Sequence, residues 1–431
     1  MNNPDLEVDL LVVGGGMVGA ALAAACAGRG LRIAVTETRE PQRAWPAGDI
    51  DLRVSALSRA SQRLLARLGR GPSVWERIQQ LGASPYREMR VWDGVGGAGI
   101  HFDSADLGEP DLGHIVENRV TQLALWECLE AAPDINLLCP ARGAALILPE
   151  AGAGPAAGRD RGEVPGAPGA LGDLARVDLN DGRRVAARLV VGADGRDSWV
   201  RAQAGIATSG WEYDQQAIVA NVSLTEPHRE TAWQRFLPTG PLAFLPLADG
   251  RCSIVWSARS ERARELMALD DTAFLKALEE ASERRLGALT AIGRRAAFPL
   301  RLQHADQYVR PRLALIGDAA HAVHPLAGQG VNLGFLDAAQ LADSLGEAQA
   351  QGRDIGGLWA LRRYERARRG DNLRMLAAMD GFKRLFSNDQ PLLVAARNAG
   401  LAAADRLTPL KRLFMEQALG QGQDLPTLAR R

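Results

Sequence analysis

The chain predicts an α/β fold: a Rossmann-like dinucleotide-binding domain with an inserted antiparallel-sheet domain and C-terminal helices. Three observations carry this expectation. A βαβ pattern with a glycine turn occupies the first 37 residues, a strand-rich stretch of different character fills the middle, and helical sequence runs from Leu333 to Leu419. At 431 residues the chain is too long for one small core, so two closely packed domains are expected.

The segment DLLVVGGGMVGAALAAACAGRGLRIAVTE, Asp9 to Glu37, reads as an apolar strand, a glycine turn, an alanine-rich helix and a second strand ending in an acid. Gly14, Gly16 and Gly19 form G-x-G-x-x-G: the first for the tight turn, the second for approach of a pyrophosphate, the third for close helix–strand packing. The helix N-terminus then offers backbone N–H groups to phosphate. Glu37 ends the second strand, where a carboxylate accepts hydrogen bonds from a ribose diol. The same spacing recurs in GVGGAG, Gly94 to Gly99, but a short strand rather than a helix follows, so those glycines read as a hairpin turn.

Beyond this unit, Asp51 onward (DLRVSALSRASQRLLARLG) reads as a polar cap region passing into an amphipathic helix, with Arg53 just before it. HIVENRVTQLALWECLEAA, from His114, is a strand-to-helix junction with Asn118 as a candidate cap and Gln122 one turn in. Glu150 to Asp173 is rich in Ala, Gly and Pro and reads as a mobile insertion between strands. Strand residues then alternate around an Asn180-Asp181-Gly182 turn, and a buried strand ends at Gly192-Ala193-Asp194-Gly195. From Trp211 to Pro299 antiparallel strands are expected, with Trp233, Phe236, Phe244 and Trp256 as core. The strand from Pro311 returns to the first sheet, and the basic run LRRYERARRGDNLR reads as a solvated helix face. The expected parts are therefore 1–80, 116–210 and 306–345 for the dinucleotide domain, 81–115 and 211–305 for the inserted sheet domain, and 346–431 for the helices.

Bulk properties narrow the function. Lys plus Arg and Asp plus Glu both number 51, which gives no electrostatic case for binding nucleic acid or anionic lipid. Cys26, Cys128, Cys139 and Cys252 are widely spaced and form no C-x-x-C, so buried thiols in a reducing, cytoplasmic setting are expected. The N-terminus has no basic n-region, and no window has the apolar length of a spanning helix. Any membrane contact is expected to be peripheral, at the inner membrane.

GDAAHAVHPLAGQGVNLGFLDA, Gly317 to Ala338, places His321 and His324 three positions apart. Pro325 follows at once, and neither H-E-x-x-H nor a third carboxylate ligand is near, so no metal is expected. Asp318, at the end of a buried strand, can accept hydrogen bonds from a sugar or ribityl chain. The glycines before Asn332 open the backbone at a helix start, where N–H groups stabilise negative charge on a flat electron-accepting ring.

Taken together, GGGMVG with Glu37, GADGRDSWVR and GDAAHAVHPLAGQGVNLG resemble the three signature segments of the class A flavoprotein monooxygenases. More narrowly, DLRVSALS, LGHIVENRV, LAFLPL and AGQGVNLGF are similar to the ubiquinone-biosynthesis hydroxylases. The tail GRDIGGLWALRRYER and the middle CSIVWS look most like the branch that acts as 2-polyprenylphenol 6-hydroxylase. The resemblance implies the para-hydroxybenzoate hydroxylase-like fold, with a Rossmann-like FAD-binding domain, and NAD(P)H and O2 as co-substrates.

It further implies that FAD is held by Gly14, Gly16, Gly19 and Glu37, with Arg53 and Gln122 in contact and Asp318 on the ribityl side. Gly328, Gln329, Gly330 and Asn332 would lie under the pyrimidine edge, and Asp194 would serve FAD and the approach of the nicotinamide. The implied reaction hydroxylates a polyprenylated phenol through a flavin C4a-hydroperoxide, so no protein nucleophile is required. The Pro325 carbonyl, Phe244 and Pro246 are the expected substrate-side wall, and His321 and His324 become packing or polar-network residues. Rival expectations are another ring position in the same pathway, a flavin-dependent prenyl reductase, or a scaffold of the biosynthetic complex. A flavin halogenase is disfavoured, because the W-x-W-x-I-P segment is not found. The C-terminal helices are expected to pack on the body, with membrane or partner contact as the second reading.

Overall fold

The computed structural model describes residues 5–149, 173–322, 330–386 and 390–407, with 409, 411–412, 415–416, 419–420 and 425–430 beyond. The first sheet begins with β1 (Leu6–Val13), whose last four residues are buried, as a central parallel strand requires. α1 (Met17–Cys26) follows, and β2 (Ile33–Thr36) returns parallel to β1 with Leu10 beside Ile33. From Gly19 to Cys26 every residue of α1 is buried, which explains its small side chains: bulkier ones would hold it off the sheet.

β3 (Val54–Leu57), α2 (Arg59–Ala66) and α3 (Val74–Leu81) come next. Sequence patterning read Asp51 onward as cap and helix. Instead Val54 to Leu57 form a strand, and Ser58 caps α2 by accepting from the Ser61 N–H at 3.3 Å. β4 (Ser84–Tyr86) precedes the hairpin of β5 (Glu88–Asp93) and β6 (Gly99–Asp103), so the second glycine cluster is a turn as expected. β7 (Gly113–Glu117) runs into α4 (Asn118–Glu130), and β3, β7 and β4 make a small three-stranded sheet. β8 (Ile135–Leu138), β9 (Gly143–Ile147), β10 (Ala175–Leu179), β11 (Arg184–Gly192) and the short α5 (Trp199–Gln203) follow. Most of the expected insertion, residues 150–172, lies outside the described residues.

The inserted sheet is built from β12 (Thr208–Leu224), β13 (Thr231–Leu237), β14 (Gly240–Pro246), β15 (Cys252–Arg259), β16 (Leu289–Ile292) and β17 (Ala296–Ala305). Two helices that strand patterning passed over, α6 (Ser260–Ala268) and α7 (Asp271–Ala281), interrupt it. β18 (Val309–Arg310) and β19 (Leu313–Leu315) return to the first sheet, while β20 (His321–Ala322) joins the second. α8 (Gly330–Ala350), α9 (Leu358–Phe386) and α10 (Pro391–Arg406) follow, and a short 3-10 turn (Thr427–Ala429) comes last among the described elements. No described helix is long and apolar enough to cross a membrane.

The first sheet runs β18-β19-β11-β1-β2-β8, with β8, β2, β1, β11 and β19 mutually parallel. The second runs β20-β17-β12-β15-β14-β13-β5-β6 and is antiparallel except for the parallel pair β13–β5. Strand alternation sorts its two faces. Cys252, Ile254, Trp256 and Ala258 point with Phe244 into a core closed by Phe274 of α7, so Ser253, Val255 and Ser257 face the opposite way. That opposite face looks toward the first sheet, and the site lies between them.

Candidate active site

The three glycines of the first turn differ in what surrounds them. Gly14 has φ +106°, and a Cβ there would meet the Ala193 carbonyl oxygen at 2.5 Å. A Cβ on Gly19 would stand 1.9 Å from the Gly14 oxygen, so helix and turn could not close. A Cβ on Gly16 would meet no protein atom within 4 Å, and Gly16 lines a cleft of about 620 Å3 between the two sheets. This is the division of labour expected of a pyrophosphate turn. No side chain caps α1, so the N–H groups of its first turn are left for an anion.

Gly15 is pinned from both sides. Its N–H donates to Glu37 Oε2 at 2.8 Å, and its carbonyl accepts from Trp126 Nε1 at 2.7 Å. The other Glu37 oxygen accepts from the Thr38 N–H and hydroxyl at 2.6 and 2.8 Å. Glu37 thus shapes the turn while remaining half-buried at the strand end, where a ribose would lie.

Across the cleft mouth, Asp194 and Asp318 follow the ends of β11 and β19, with Arg196 beside them. Asp194 accepts from the Ser198 hydroxyl at 2.5 Å and the Val200 N–H at 3.0 Å, so much of its capacity goes to ordering the start of α5. Burial pushes its carboxyl up despite those bonds. Asp318 opens to the cleft and has no hydrogen-bond partner among the described residues. Although the side chain is exposed within the cleft, the protein walls around it raise its carboxyl, with His321 and Arg196 opposing that rise. An unpartnered acceptor at this point fits ribityl hydroxyls. Arg53 lines the same cleft, as do Gly330, which opens α8, and Val18 on α1. Val18 also packs so tightly that a Cβ on Gly334 would come within 2.6 Å of it. The glycine turn, the Asp194 segment and the Asp318 turn, far apart in sequence, are therefore brought together.

Other expected contacts fall elsewhere. Gln122 is half-buried in α4 and is not a cleft residue; Asn118 is, and instead of capping α4 its Oδ1 accepts from the Ser55 hydroxyl at 2.7 Å. The Asn332 amide is taken up by protein: Oδ1 accepts from the Ser58 N–H and Ser61 hydroxyl at 3.0 and 2.7 Å, and Nδ2 donates to the Ala56 carbonyl at 2.8 Å. It fastens α8 to the β3–α2 junction. Phe244 and Pro246 do not form the substrate-side wall, because β14 alternation sets them on the face of Ile254 and Cys252, away from the cleft. The sheet residues that line the cleft are instead Ala217, Val219, Ser253 and Val255, with Phe298 at the rim. His324, Pro325, Gly328 and Gln329 lie outside the described residues.

His321 is a network residue. Its Nε2 meets Asp337 Oδ2 at 2.5 Å, and the same oxygen accepts from the Gly317 N–H at 3.1 Å. Asp337 Oδ1 accepts from Arg368 Nε at 2.9 Å and Asn372 Nδ2 at 3.1 Å. Asn372 Nδ2 also donates to Tyr308 Oη at 3.3 Å, which pairs with His304. Burial alone would raise the Asp337 carboxyl, but His321 and Arg368 overcome it and hold it at about 2. Burial lowers His304 to about 4, with His321 adding to that shift. Arg201 adds a second clasp, donating to the Ala319 and Arg196 carbonyls at 2.8 Å each. The run read as a solvated helix face is therefore only partly so, since Tyr364, Arg368 and Asn372 are buried one turn apart. Asp337, a lone acid in the apolar stretch NLGFLDAAQLA, was the visible signal. All four cysteines are free; Cys26 and Cys252 are buried, Cys128 and Cys139 only partly.

Known proteins identify the family and the fold. A profile of the FAD binding domain family matches residues 172–376. The chain is 40% identical to the 3-demethoxyubiquinol 3-hydroxylase of Escherichia coli (strain K12), covering 97% of this chain and all of the relative. It is 41% identical to the ubiquinone hydroxylase UbiL of Rhodospirillum rubrum, over 99% of this chain and 93% of that one. The crystal structure of p-nitrophenol 4-monooxygenase PnpA from Pseudomonas putida DLL-E4 superposes with a TM-score of 0.73 at 19% identity, covering 96% and 98% of the two chains, which supports the shared fold. With its para-hydroxybenzoate hydroxylase-like fold and relatives matched over nearly their full length, the chain belongs to the ubiquinone-biosynthesis hydroxylases, a family of FAD-dependent monooxygenases.

Proposed function

We propose that this enzyme hydroxylates the ring of a polyprenylated phenol in ubiquinone biosynthesis, with NAD(P)H and O2 as co-substrates. The observation that carries this reading is the cleft itself: a dinucleotide turn and Asp318, which has no hydrogen-bond partner among the described residues, on one side, and a face of small and apolar sheet residues on the other. FAD, when bound, supplies the redox chemistry that activates dioxygen. The chain binds and orients. Gly16 and the start of α1 receive the pyrophosphate, Glu37 the ribose, and Asp318 and Arg53 the rest of the cofactor. Ala217, Val219 and Val255 receive the ring and keep water from it. Asp194 and Arg196 line the mouth and meet the nicotinamide co-substrate as it approaches.

A prenylated substrate dissolves in lipid. Phe382 and Leu385 on α9 and Leu392 and Leu393 on α10 are exposed, Leu392 at 87%, and this apolar surface suits peripheral contact with a membrane or a biosynthetic partner. For the ring position, the branch resemblance favours 2-polyprenylphenol. The 40% identity to an enzyme named for 3-demethoxyubiquinol favours that later ring as the second reading. Removing the protein from its cell and identifying the accumulated prenylated ring by mass spectrometry separates the two. A prenylphenol without the first added hydroxyl supports the first reading, and demethoxyubiquinol supports the second. Unchanged ubiquinone with no accumulated precursor would argue against both.

A further inference from the structure

Four buried polar side chains stand along one face of the strand pair β12–β15. In register, Gln215, Ala217, Val219 and Asn221 face Arg259, Ser257, Val255 and Ser253. Gln215 and Asn221 are each 6% exposed, and Ser253 and Ser257 are fully buried. Gln215 Oε1, Asn221 Oδ1, Ser253 Oγ and Ser257 Oγ all lack a hydrogen-bond partner among the described residues. The two amides have a fixed sense, because their nitrogens are engaged: Gln215 Nε2 donates to the Thr239 carbonyl at 2.8 Å and Asn221 Nδ2 to the Ile50 carbonyl at 3.2 Å. Their oxygens are left as acceptors.

A buried polar atom without a partner destabilises the fold, and four on one face of one strand pair is a concentration that packing alone does not explain. The other face of the same strands is the apolar core around Trp256 and Phe274. The polar face is the one turned to the cleft: Ser253, Val255, Ala217 and Val219 line it, and Asn221 lines an adjoining cavity of about 420 Å3 that shares Leu52 with it. Asn221 and Ser253 are direct cross-strand neighbours, close enough to engage adjacent atoms of one small ring. An acceptor beside a hydroxyl, bordered by valine and alanine, matches a neutral aromatic ring carrying a free O–H and a neighbouring oxygen.

Building on the second reading of the proposed function, in which the ring already carries two neighbouring oxygens, we infer that Asn221 Oδ1 accepts from the phenolic O–H while the Ser253 hydroxyl bonds the neighbouring ring oxygen, so that this pair sets which ring carbon faces the flavin. Both are substrate-positioning residues on the floor of the site. The pair rewards a free phenol and disfavours its methyl ether, which leaves Asn221 Oδ1 without a donor.

The test uses the FAD-loaded enzyme, titrated with 2-methoxyphenol carrying a five-carbon prenyl chain and with its dimethyl ether counterpart, following the flavin absorbance. Wild type is expected to bind the phenol about tenfold more tightly than the ether, the factor one hydrogen bond of about 1.4 kcal/mol gives. Ser253→Ala should weaken phenol binding about tenfold, with Ser253→Thr restoring it. Asn221→Ala should abolish the preference for phenol over ether. Without phenol, Ser253→Ala should melt no lower than wild type, whereas a merely structural serine would lower the melting temperature. Equal phenol binding by wild type and Ser253→Ala would overturn this inference alone. No spectral change with either probe in wild type would overturn it together with the hydroxylase reading.

Discussion

Two glycine turns end two strands of the parallel sheet, and a downstream carboxylate closes each of them. Glu37 reaches back 22 residues to the Gly15 N–H, and Asp337 reaches back 20 residues to the Gly317 N–H. The difference lies in what remains of each carboxylate. Glu37 stays half-buried, its other oxygen held among the described residues only by Thr38 and the Arg39 N–H. Asp337 is fully buried, with both oxygens shared among His321, Gly317, Arg368 and Asn372. In the first turn one acid both shapes the loop and stays at the open strand end. In the second the roles are divided: Asp337 holds the turn, and Asp318 opens to the cleft with no hydrogen-bond partner among the described residues.

The largest expected effect tests the buried acid. Asp337→Asn removes the buried carboxylate shared by Arg368 and His321, leaving Arg368 only the partly exposed Asp371 as acid partner among the described residues, and should cost about 3–5 kcal/mol in urea unfolding. The pH dependence follows from the same network. The folded Asp337 carboxyl, near 2, lies below its ordinary 3.8, so its stabilisation is present above that value and is lost as pH falls toward 2. The folded His304, near 4, lies below its ordinary 6.5, so its share is present above 6.5 and is lost as pH falls toward 4. Wild type should therefore lose stability in two acid stages, and Asp337→Asn should lack the lower one.

Phe244→Ala is of similar size, costing about 3–5 kcal/mol of stability because the ring fills the far core, with FAD content per folded molecule unchanged. A raised KM with unaltered stability would instead return Phe244 to the cleft wall. Gly16→Ala turns the comparison from stability to binding. Because its Cβ would enter open space, the FAD-free protein should unfold at the wild-type urea midpoint, while FAD binds about 100-fold more weakly, roughly 2.7 kcal/mol. Loss of stability with intact FAD binding would show that the turn is only structural. Asp318→Asn should have the smallest effect, about tenfold weaker FAD binding by equilibrium dialysis, the scale of one charge-assisted hydrogen bond.

The comparison also explains what could be read from the chain. The first turn was legible because its determinants lie within 37 residues and each glycine is required by local geometry. Asp318 was legible for the same reason, being next to a glycine at a strand end. The clasp beneath it was not, since Asp337, Arg368 and Asn372 come from two helices and gain meaning only when these cross. Gln122 and Asn332 were matched by position within a pattern, and the structure gives the cleft to Asn118 and the helix fastening to Asn332. Phe244 and Pro246 failed through parity: the right sheet was chosen, but β14 residues one position apart face opposite ways, so Leu245 shares the cleft-side face while Phe244 does not. The two sheets themselves followed from period and composition, whereas β3, hidden in a helix-like run, depended on its pairing with β7.

The most direct test of the hydroxylase reading supplies the FAD-loaded enzyme with NADPH, 18O2 and a short-chain prenylphenol, and weighs the product. The expected result is NADPH oxidation stimulated by the phenol and one 18O atom in the product ring. A reduced prenyl chain, or NADPH oxidation with no labelled ring product, would contradict it.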